Sequence, residues 1–524
     1  MTGAPWLPQS RSVTALSVIR PNQYRDSVVL MRIAAALNEL PGVRAASLVM
    51  GTDANREVLA AADLLTDEAA AAGPNDLVVA VDGDEDAART ALARAVGLLD
   101  ERSVPAADGS GEAHEARPRT LARAADGANL ALISTPGRYA AAEALKALRL
   151  GMHVFLFSDN VPVEQEVRLK RYAHRHGLLV MGPDCGTAIV NGIPLGFANE
   201  VRRGDVGLVG ASGTGLQQVS SLLDAWGAGM SQVIGVGSHD LSQEVGAISM
   251  LDALDAVAAD PATHVIGLIS KPVAAPVARR VLRRAARAGK PVVVAFLGAD
   301  AQDLPDVGEG VVAVSTLEAA AGAVLRLATG SAPPPGPEHD TLALASGLAG
   351  RRRLLRALYA GGTFAHEAVF LLEGSLGTIA RSVDRYVPGA PPGLPGRHLV
   401  LDLGDDEFTV GRPHPMIDPT ARTEFIRAAA ADPQTAVILL DVVLGHGAAP
   451  DPAGDIAPAI AEATSTPGGP LVVAFVVGTD ADSQALAAQQ RRLTDAGAVL
   501  APGSTDAARL AGELLSAVTV EAAS

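Results

Sequence analysis

The sequence has one cysteine, Cys185, which excludes an intrachain disulfide and any cysteine-cluster metal site. That usage suits a reducing compartment. Lysine occurs only as Lys146, Lys170, Lys271 and Lys290, and aromatic residues make up 3% of the 524. Beside abundant arginine and alanine, so little lysine reads as genomic base composition, and little weight falls on arginine positions. No basic run occurs, and the net charge is −16, so nucleic acid is not an expected partner. No apolar run is long enough to span a bilayer, and Pro5, Pro8 and Arg11 stand where a secretory signal would need an apolar core. The expectation is a cytoplasmic protein with no membrane partner. A P-loop, GxxxxGK followed by Ser or Thr, is also missing.

What is present is a long alternation of strand-like and helix-like runs, 48% hydrophobic, enough for several cores. Residues 1–102 read as a small α/β domain and 103–119, rich in Pro, Gly and charge, as a linker. Residues 120–200 read as a Rossmann-like unit, 201–330 as a flavodoxin-like unit, 331–345 as a Pro-rich linker and 346–524 as a second flavodoxin-like unit. The fold class expected is therefore α/β with several Rossmann-like or flavodoxin-like domains. The turn Ser134-Thr-Pro-Gly-Arg138 lies where a doubly wound sheet places its ligand, but it lacks GxGxxG spacing and implies no dinucleotide.

The segment Gly207-Leu-Val-Gly-Ala-Ser-Gly-Thr214 reads as the end of a strand, a glycine turn and a helix start, with Leu216, Val219, Leu222, Leu223 and Trp226 at helical spacing. The first amides of such a helix lack intrahelical acceptors, and an anion can take them; ordinary capping by Ser212 accounts for the turn equally well. The second half repeats the words of the first. Tyr359-Ala-Gly-Gly-Thr363 echoes Gly210-Ala-Ser-Gly-Thr214, Asp432-Pro-Gln-Thr echoes Asp260-Pro-Ala-Thr, and Pro470-Leu-Val-Val-Ala-Phe475 echoes Pro291-Val-Val-Val-Ala-Phe296. An internal duplication is expected. The copies differ after the middle strand, where Ile269-Ser-Lys-Pro-Val273 corresponds to Asp441-Val-Val-Leu-Gly-His-Gly-Ala-Ala-Pro-Asp451, another glycine turn ahead of a helical run.

These words resemble the succinyl-CoA synthetase superfamily. Met181-Gly-Pro-Asp-Cys-Gly186 and Ser212-Gly-Thr214 resemble the MGPNC and SGT words of its α subunit, and residues from about 354 to 516 resemble the carboxyl-terminal domain of its β subunit. Gln23-Tyr-Arg-Asp-Ser27, Met50-Gly-Thr-Asp-Ala-Asn55, Gly237-Ser-His-Asp-Leu-Ser-Gln-Glu244 and Gly411-Arg-Pro-His-Pro-Met-Ile-Asp-Pro419 extend the likeness over nearly the whole chain to the FdrA family. That resemblance implies a subunit of oxamate carbamoyltransferase, which interconverts oxalurate plus phosphate with oxamate plus carbamoyl phosphate in allantoin breakdown, together with further subunits and an oligomeric state. The ligases pass phosphate through a histidine in a GHAGA segment. Residues 298–310 contain no histidine, Ile269–Pro272 contains no acid, and nothing resembles an ATP-grasp module.

The expected phosphate cradle is Ser212, Gly213 and Thr214 with Gly445, His446, Gly447 and Ala448, on the reading that Leu444–Ala448 opens the second phosphate-facing helix. His446 and Thr214 are the catalytic candidates, and Arg412, His414, Asp418 and Arg138 the substrate-binding ones. A small molecule is the expected partner and phosphate or carbamoyl phosphate a substrate; no cofactor is expected, CoA or a nucleotide entering only under a ligase reading. His239, Asp240 and Glu244 show no third convergent ligand, so no metal site is assigned. Cys185 reads as a packed thiol. Three functions compete: the carbamoyltransferase subunit, an NDP-forming acyl-CoA ligase, and a non-catalytic anion sensor.

Overall fold

The computed structural model describes residues 15–21, 23, 25, 27–101, 120–298, 310–348, 350–384, 386, 387, 389, 391–409 and 412–523. The expected linker at 103–119 and most of the loop 298–310 lie outside them. The chain forms two units, one of Met1–Arg117 with Val410–Pro413 and one of Pro118–Thr409 with His414–Ser524.

The first unit runs β1 (Leu16–Arg20), α1 (Ser27–Asn38), β2 (Val43–Met50), α2 (Asp53–Ala61), α3 (Asp67–Ala71), β3 (Leu77–Gly83) and α4 (Glu85–Glu101). Its sheet, in order β1-β3-β2, is antiparallel throughout. The strict alternation of the central strand splits its side chains between two faces. Leu77, Val79 and Val81 pack with Leu30, Leu37, Ala91 and Ala95, whereas Val78 and Ala80 pack with Leu59, Leu64 and Ala69.

In the second unit, α5 (Leu121–Ala124), β4 (Leu130–Ile133), α6 (Gly137–Arg149), β5 (His153–Leu156), α7 (Val163–Arg175) and β6 (Val180–Met181) make a parallel three-stranded layer. Next come β7 (Thr187–Val190), β8 (Ile193–Gly196), β9 (Arg203–Gly210), α8 (Gly213–Ala225), β10 (Met230–Gly235), α9 (Ile248–Ala259), β11 (Val265–Ser270), α10 (Ala275–Ala285), β12 (Val292–Phe296), β13 (Val311–Val314) and α11 (Leu317–Thr329). The β7–β8 hairpin pairs antiparallel with β10 and so extends this sheet, across the boundary expected at 200. Residues 331–340 have no regular structure. The chain closes with α12 (Thr341–Ala345), β14 (Leu354–Tyr359), α13 (Gly362–Leu376), β15 (Leu399–Asp402), α14 (Asp406–Thr409), α15 (Thr420–Ala431), β16 (Thr435–Val443), α16 (Pro452–Thr464), β17 (Leu471–Val477), α17 (Leu486–Asp495), β18 (Val499–Leu500) and α18 (Ser504–Ala523).

The duplication is visible as topology. The parallel strands run β10-β9-β11-β12-β13 in one sheet and β15-β14-β16-β17-β18 in the other, both the 2-1-3-4-5 order of a flavodoxin-like fold. One core lies between the two sheets, where Leu216, Val219 and Leu223 of α8 and Phe364, Ala368 and Leu372 of α13 join α11 and α18. Alternation again assigns the faces: Val437 and Leu439 of β16 enter this shared core, while Ile438, Leu440 and Val442 pack outward with α15 and α16. Each fully buried leucine contributes roughly 2 kcal/mol. The first helix of each copy is thereby pinned against its counterpart.

Candidate functional site

The first strand of each copy ends in a glycine turn and enters a helix. In the first copy Ser212 is the N-cap of α8, its Oγ accepting the Gly215 amide at 3.1 Å. In the second, Gly361 takes the N-cap position and offers no side chain. Asp441 of β16 substitutes from below. Its carboxylate accepts the amides of Ala360 at 2.8 Å and Gly361 at 3.0 Å. Asp441 is fully buried, and Arg422 of α15 neutralises it at 3.0 Å while also donating to the Asp441 and Leu358 carbonyls.

These two helix starts meet. Ser212 Oγ and Thr363 Oγ1 lie 2.6 Å apart, both side chains buried. Gly213 and Thr214 on one side, and Gly362 and Thr363 on the other, are the opening residues whose amides a helix leaves without internal acceptors, and both macrodipoles present their positive ends. A Cβ at Gly361 would lie 2.9 Å from Thr214 Cγ2. This is the junction at which a flavodoxin-like sheet exposes the carboxyl ends of its first and third strands.

Three further groups converge there. Lys271 follows β11, and its Nζ lies 3.3 Å from where a Cβ at Gly362 would stand; the Asp402 carboxylate, at the end of β15, would collide with that Cβ. A Cβ at Gly404 would lie 2.6 Å from His414 Nε2 and 3.2 Å from Asp402 Oδ1. Glycine at 362 and 404 is what lets these side chains approach the backbone. Burial pushes the Asp402 carboxyl up to about 6 against the opposing pull of Lys271. His414 moves the other way, to about 4, through burial and the nearby Arg422 charge. Its Nδ1 accepts the Met416 amide at 3.2 Å, so the neutral ring carries its proton on Nε2, beside Asp402.

The structure departs from the sequence expectation at the turn 444–448. No helix begins there: α16 starts at Pro452, and its first amides are taken by its own Asp451 and by Gln489. The Gly445 amide donates to Gln484 Oε1 at 3.1 Å and the His446 amide to the Ala198 carbonyl at 2.8 Å. Gly447 faces the Phe197 ring, and Ala448 leads into Ala449, whose amide donates to the Met416 carbonyl. His446 is exposed and pairs with Glu200 at 2.6 Å. The helix that faces Ser212 belongs to Gly361–Thr363 instead, because equivalent positions of a duplicated fold meet across the shared core.

Of the other expected residues, His414 joins the cluster and its ring lies 5.9 Å from that of Phe197. Asp418 accepts the Thr420 amide at 2.9 Å at the start of α15. Arg138 is exposed over the Tyr139 ring, and Arg412 falls in the first unit. Asp240 is buried and accepts the Ser249 and Met250 amides of α9, which is a capping role. Cys185 is buried and its thiol pushed up to about 12, an inert packed group. Thr363, Lys271 and Asp402 were missed. The echo of Gly210–Thr214 in Tyr359–Thr363 was the signal for the first, and a lysine in Ile269–Pro272, a segment holding no acid, was the signal for the second.

Comparison with known proteins follows the same partition. A model described as AllF, heavy metal-associated domain, matches residues 13–118; a succinyl-CoA ligase like flavodoxin domain matches 203–328; and a CoA-ligase model matches 358–514. Uncharacterized protein YahF of Escherichia coli (strain K12) is 41% identical over 519 residues, covering 95% of this chain and 98% of its own. Succinate–CoA ligase [ADP-forming] subunit alpha-2, mitochondrial, of Trichomonas vaginalis is 30% identical over 149 residues, 28% of this chain and 47% of its own. The subunit alpha of Methanothermobacter thermautotrophicus is 26% identical over 207 residues, 39% of this chain and 65% of its own. The chain thus spans about half to two thirds of these ligase subunits. Among solved structures, the apo dinucleotide forming acetyl-coenzyme A synthetase 1 of Ca. Korarchaeum cryptofilum covers 75% of this chain and 84% of its own at 19% identity, with a TM-score of 0.31, too low to transfer any residue position. A heavy-metal domain would need soft ligands, yet residues 13–118 contain no cysteine. Among the described residues no group of three His, Cys, Asp or Glu could hold a metal ion.

Proposed function

The chain belongs to the family of YahF from Escherichia coli (strain K12), within the succinyl-CoA ligase-like superfamily, and on that premise we propose that it performs acyl-phosphate chemistry of the NDP-forming acyl-CoA synthetase kind. The observation that carries this reading is the 2.6 Å contact of Ser212 with Thr363, which brings two helix N-termini together with Lys271 close to the second of them.

In this scheme the phosphoryl oxygens of an acyl phosphate accept the amides of Gly213, Thr214, Gly362 and Thr363 and a charge-assisted bond from Lys271. A thiol attacks the acyl carbon, the carbon–oxygen bond to phosphate breaks, and a thioester and inorganic phosphate result. Asp402, ionised at neutral pH, takes the thiol proton, and the Nε2–H of His414 faces the oxygen on which charge develops. Thr214 acts as a binding group at the mouth of α8. The reverse direction forms acyl phosphate from phosphate.

A second reading is favoured by one observation: residues 298–310 hold no histidine, and the segment Ile269–Pro272, where the resemblance implies a supporting acid, carries Lys271 and no acid. Phosphate then enters and leaves free, with no nucleotide step, and a carbamoyl group can serve as the acyl group, giving the oxalurate–oxamate exchange that the FdrA resemblance implies. Partner subunits would supply what this chain lacks.

The test is phosphate release from acetyl or succinyl phosphate with CoA, run beside carbamoyl phosphate with oxamate. CoA-dependent release, lost in Lys271→Met, supports the first reading; oxamate-dependent release alone supports the second. Failure of wild-type protein to bind inorganic phosphate would end both.

A further inference from the structure

A second basic site lies across the seven-stranded sheet from α8. Helices α9 and α10 pack on the outer face of that sheet, with α7 against α9, and between them is a cavity of about 380 Å3. Its rim carries Arg171 and Arg175 from the carboxyl-terminal part of α7 and Arg280 from α10; its apolar floor is Val245, Ile248 and Leu251. Three guanidiniums around one cavity are a local reversal of sign in a chain of net charge −16.

The carboxylate in this lining, Asp252, is already engaged: His174 Nδ1 lies 2.7 Å from its Oδ1. The other carboxylate directed at this end of α9, Asp240, is fully buried behind it and consumed by the Ser249 and Met250 amides and by Lys170 at 2.7 Å. Two of the guanidiniums are oriented by backbone carbonyls rather than by acids. Arg175 Nε donates to the Arg171 carbonyl at 3.2 Å, and Arg280 Nη1 to the Gly246 carbonyl at 3.1 Å. A carbonyl fixes the plane of a guanidinium without cancelling its charge, which leaves the fork available to an oxyanion.

We propose that this cavity binds a phosphate monoester with an apolar body, its phosphoryl group among Arg171, Arg175 and Arg280 and its carbon skeleton on Ile248 and Leu251. The site is separate from the α8–α13 junction and does not rest on the chemistry assigned there. Its apolar floor distinguishes it from a simple anion patch, because an inorganic phosphate would leave Ile248 and Leu251 uncovered.

Phenyl phosphate titrated calorimetrically into the full chain is the test, with inorganic phosphate as the arm that isolates the charge. Saturable phenyl phosphate binding is expected, weakened about tenfold or more by Arg171→Ala/Arg175→Ala and little changed by Lys271→Met. All three arginines and Lys271 are at least partly exposed, so the variants should melt within about 2 °C of wild type. Leu251→Ser should weaken phenyl phosphate while leaving inorganic phosphate unchanged in the same cavity. Absence of saturable binding, binding indifferent to the double arginine variant, or loss only in Lys271→Met would each overturn the proposal.

Discussion

The turn at Ala360–Thr363 and the turn at Leu444–Asp451 leave neighbouring strands of the same sheet, and both are rich in glycine, yet they spend their amides differently. At 360–363 a buried carboxylate from the adjacent strand takes the two outer amides, and the helix starts at once, so its first N–H groups face the partner helix. At 444–451 the amides of Gly445 and His446 are consumed by Gln484 and Ala198, four residues of turn follow, and Asp451 fills the end of α16. A glycine turn makes an anion site only when the surrounding structure leaves its donors unsatisfied.

The comparison can be broken at its root. Asp441→Ala would leave Arg422 buried and unpaired and orphan the amides of Ala360 and Gly361; urea unfolding should show a loss of about 3–5 kcal/mol. If stability is unchanged, the buried cap is not what holds the turn.

The next effect is a pH signature of the cluster. His414, depressed from 6.5 to about 4, contributes stability present above pH 6.5 and lost as pH falls to about 4; Asp402, raised from 3.8 to about 6, contributes stability present below about pH 4 and lost as pH rises through 6. Each amounts to about 3 kcal/mol, and in the wild type the two slopes oppose. Stability of Asp402→Asn should therefore rise between pH 4 and 6.5, and that of His414→Asn should fall over pH 4 to 6. Parallel profiles for the two variants would show that the groups are not buried together.

A smaller effect separates binding from folding. Lys271→Met should weaken inorganic phosphate binding by about tenfold or more with little change in melting temperature, since its charge serves an anion rather than the core. Ser212→Ala together with Thr214→Ala should weaken phosphate binding to a similar extent while costing about 1 kcal/mol of stability from the lost N-cap; loss of stability with binding unchanged would leave Ser212 a plain cap. The smallest change belongs to the other turn. His446→Ala breaks only an exposed pair with Glu200, about 0–1 kcal/mol, and should leave phosphate binding unchanged.

Much of the fold was legible in the chain because its signals are local. Short apolar runs such as Leu77–Val81 and the helical spacing after Ser212 mark elements whose buried faces the structure confirms. The duplicated words announced two copies of one topology. Less of the site could be read. Glycine, histidine and a following helix are equally present at 444–448, and nothing local states that Gln484 and Ala198 consume its amides. Lys271 stood out only as part of a segment that holds no acid, and Asp402 is a single acid at the end of an apolar strand.

The sequence by itself determined the elements, their order and the duplicated words, and offered Ser212 as one of two readings of its turn, since each depends on residues within a few positions along the chain. Only the tertiary structure decided which helix faces Ser212, why Gly362 and Gly404 must lack a side chain, and that Lys271, Asp402 and His414 share one place. Those are relations between residues up to 151 positions apart, and they exist only once the two sheets have closed on a common core.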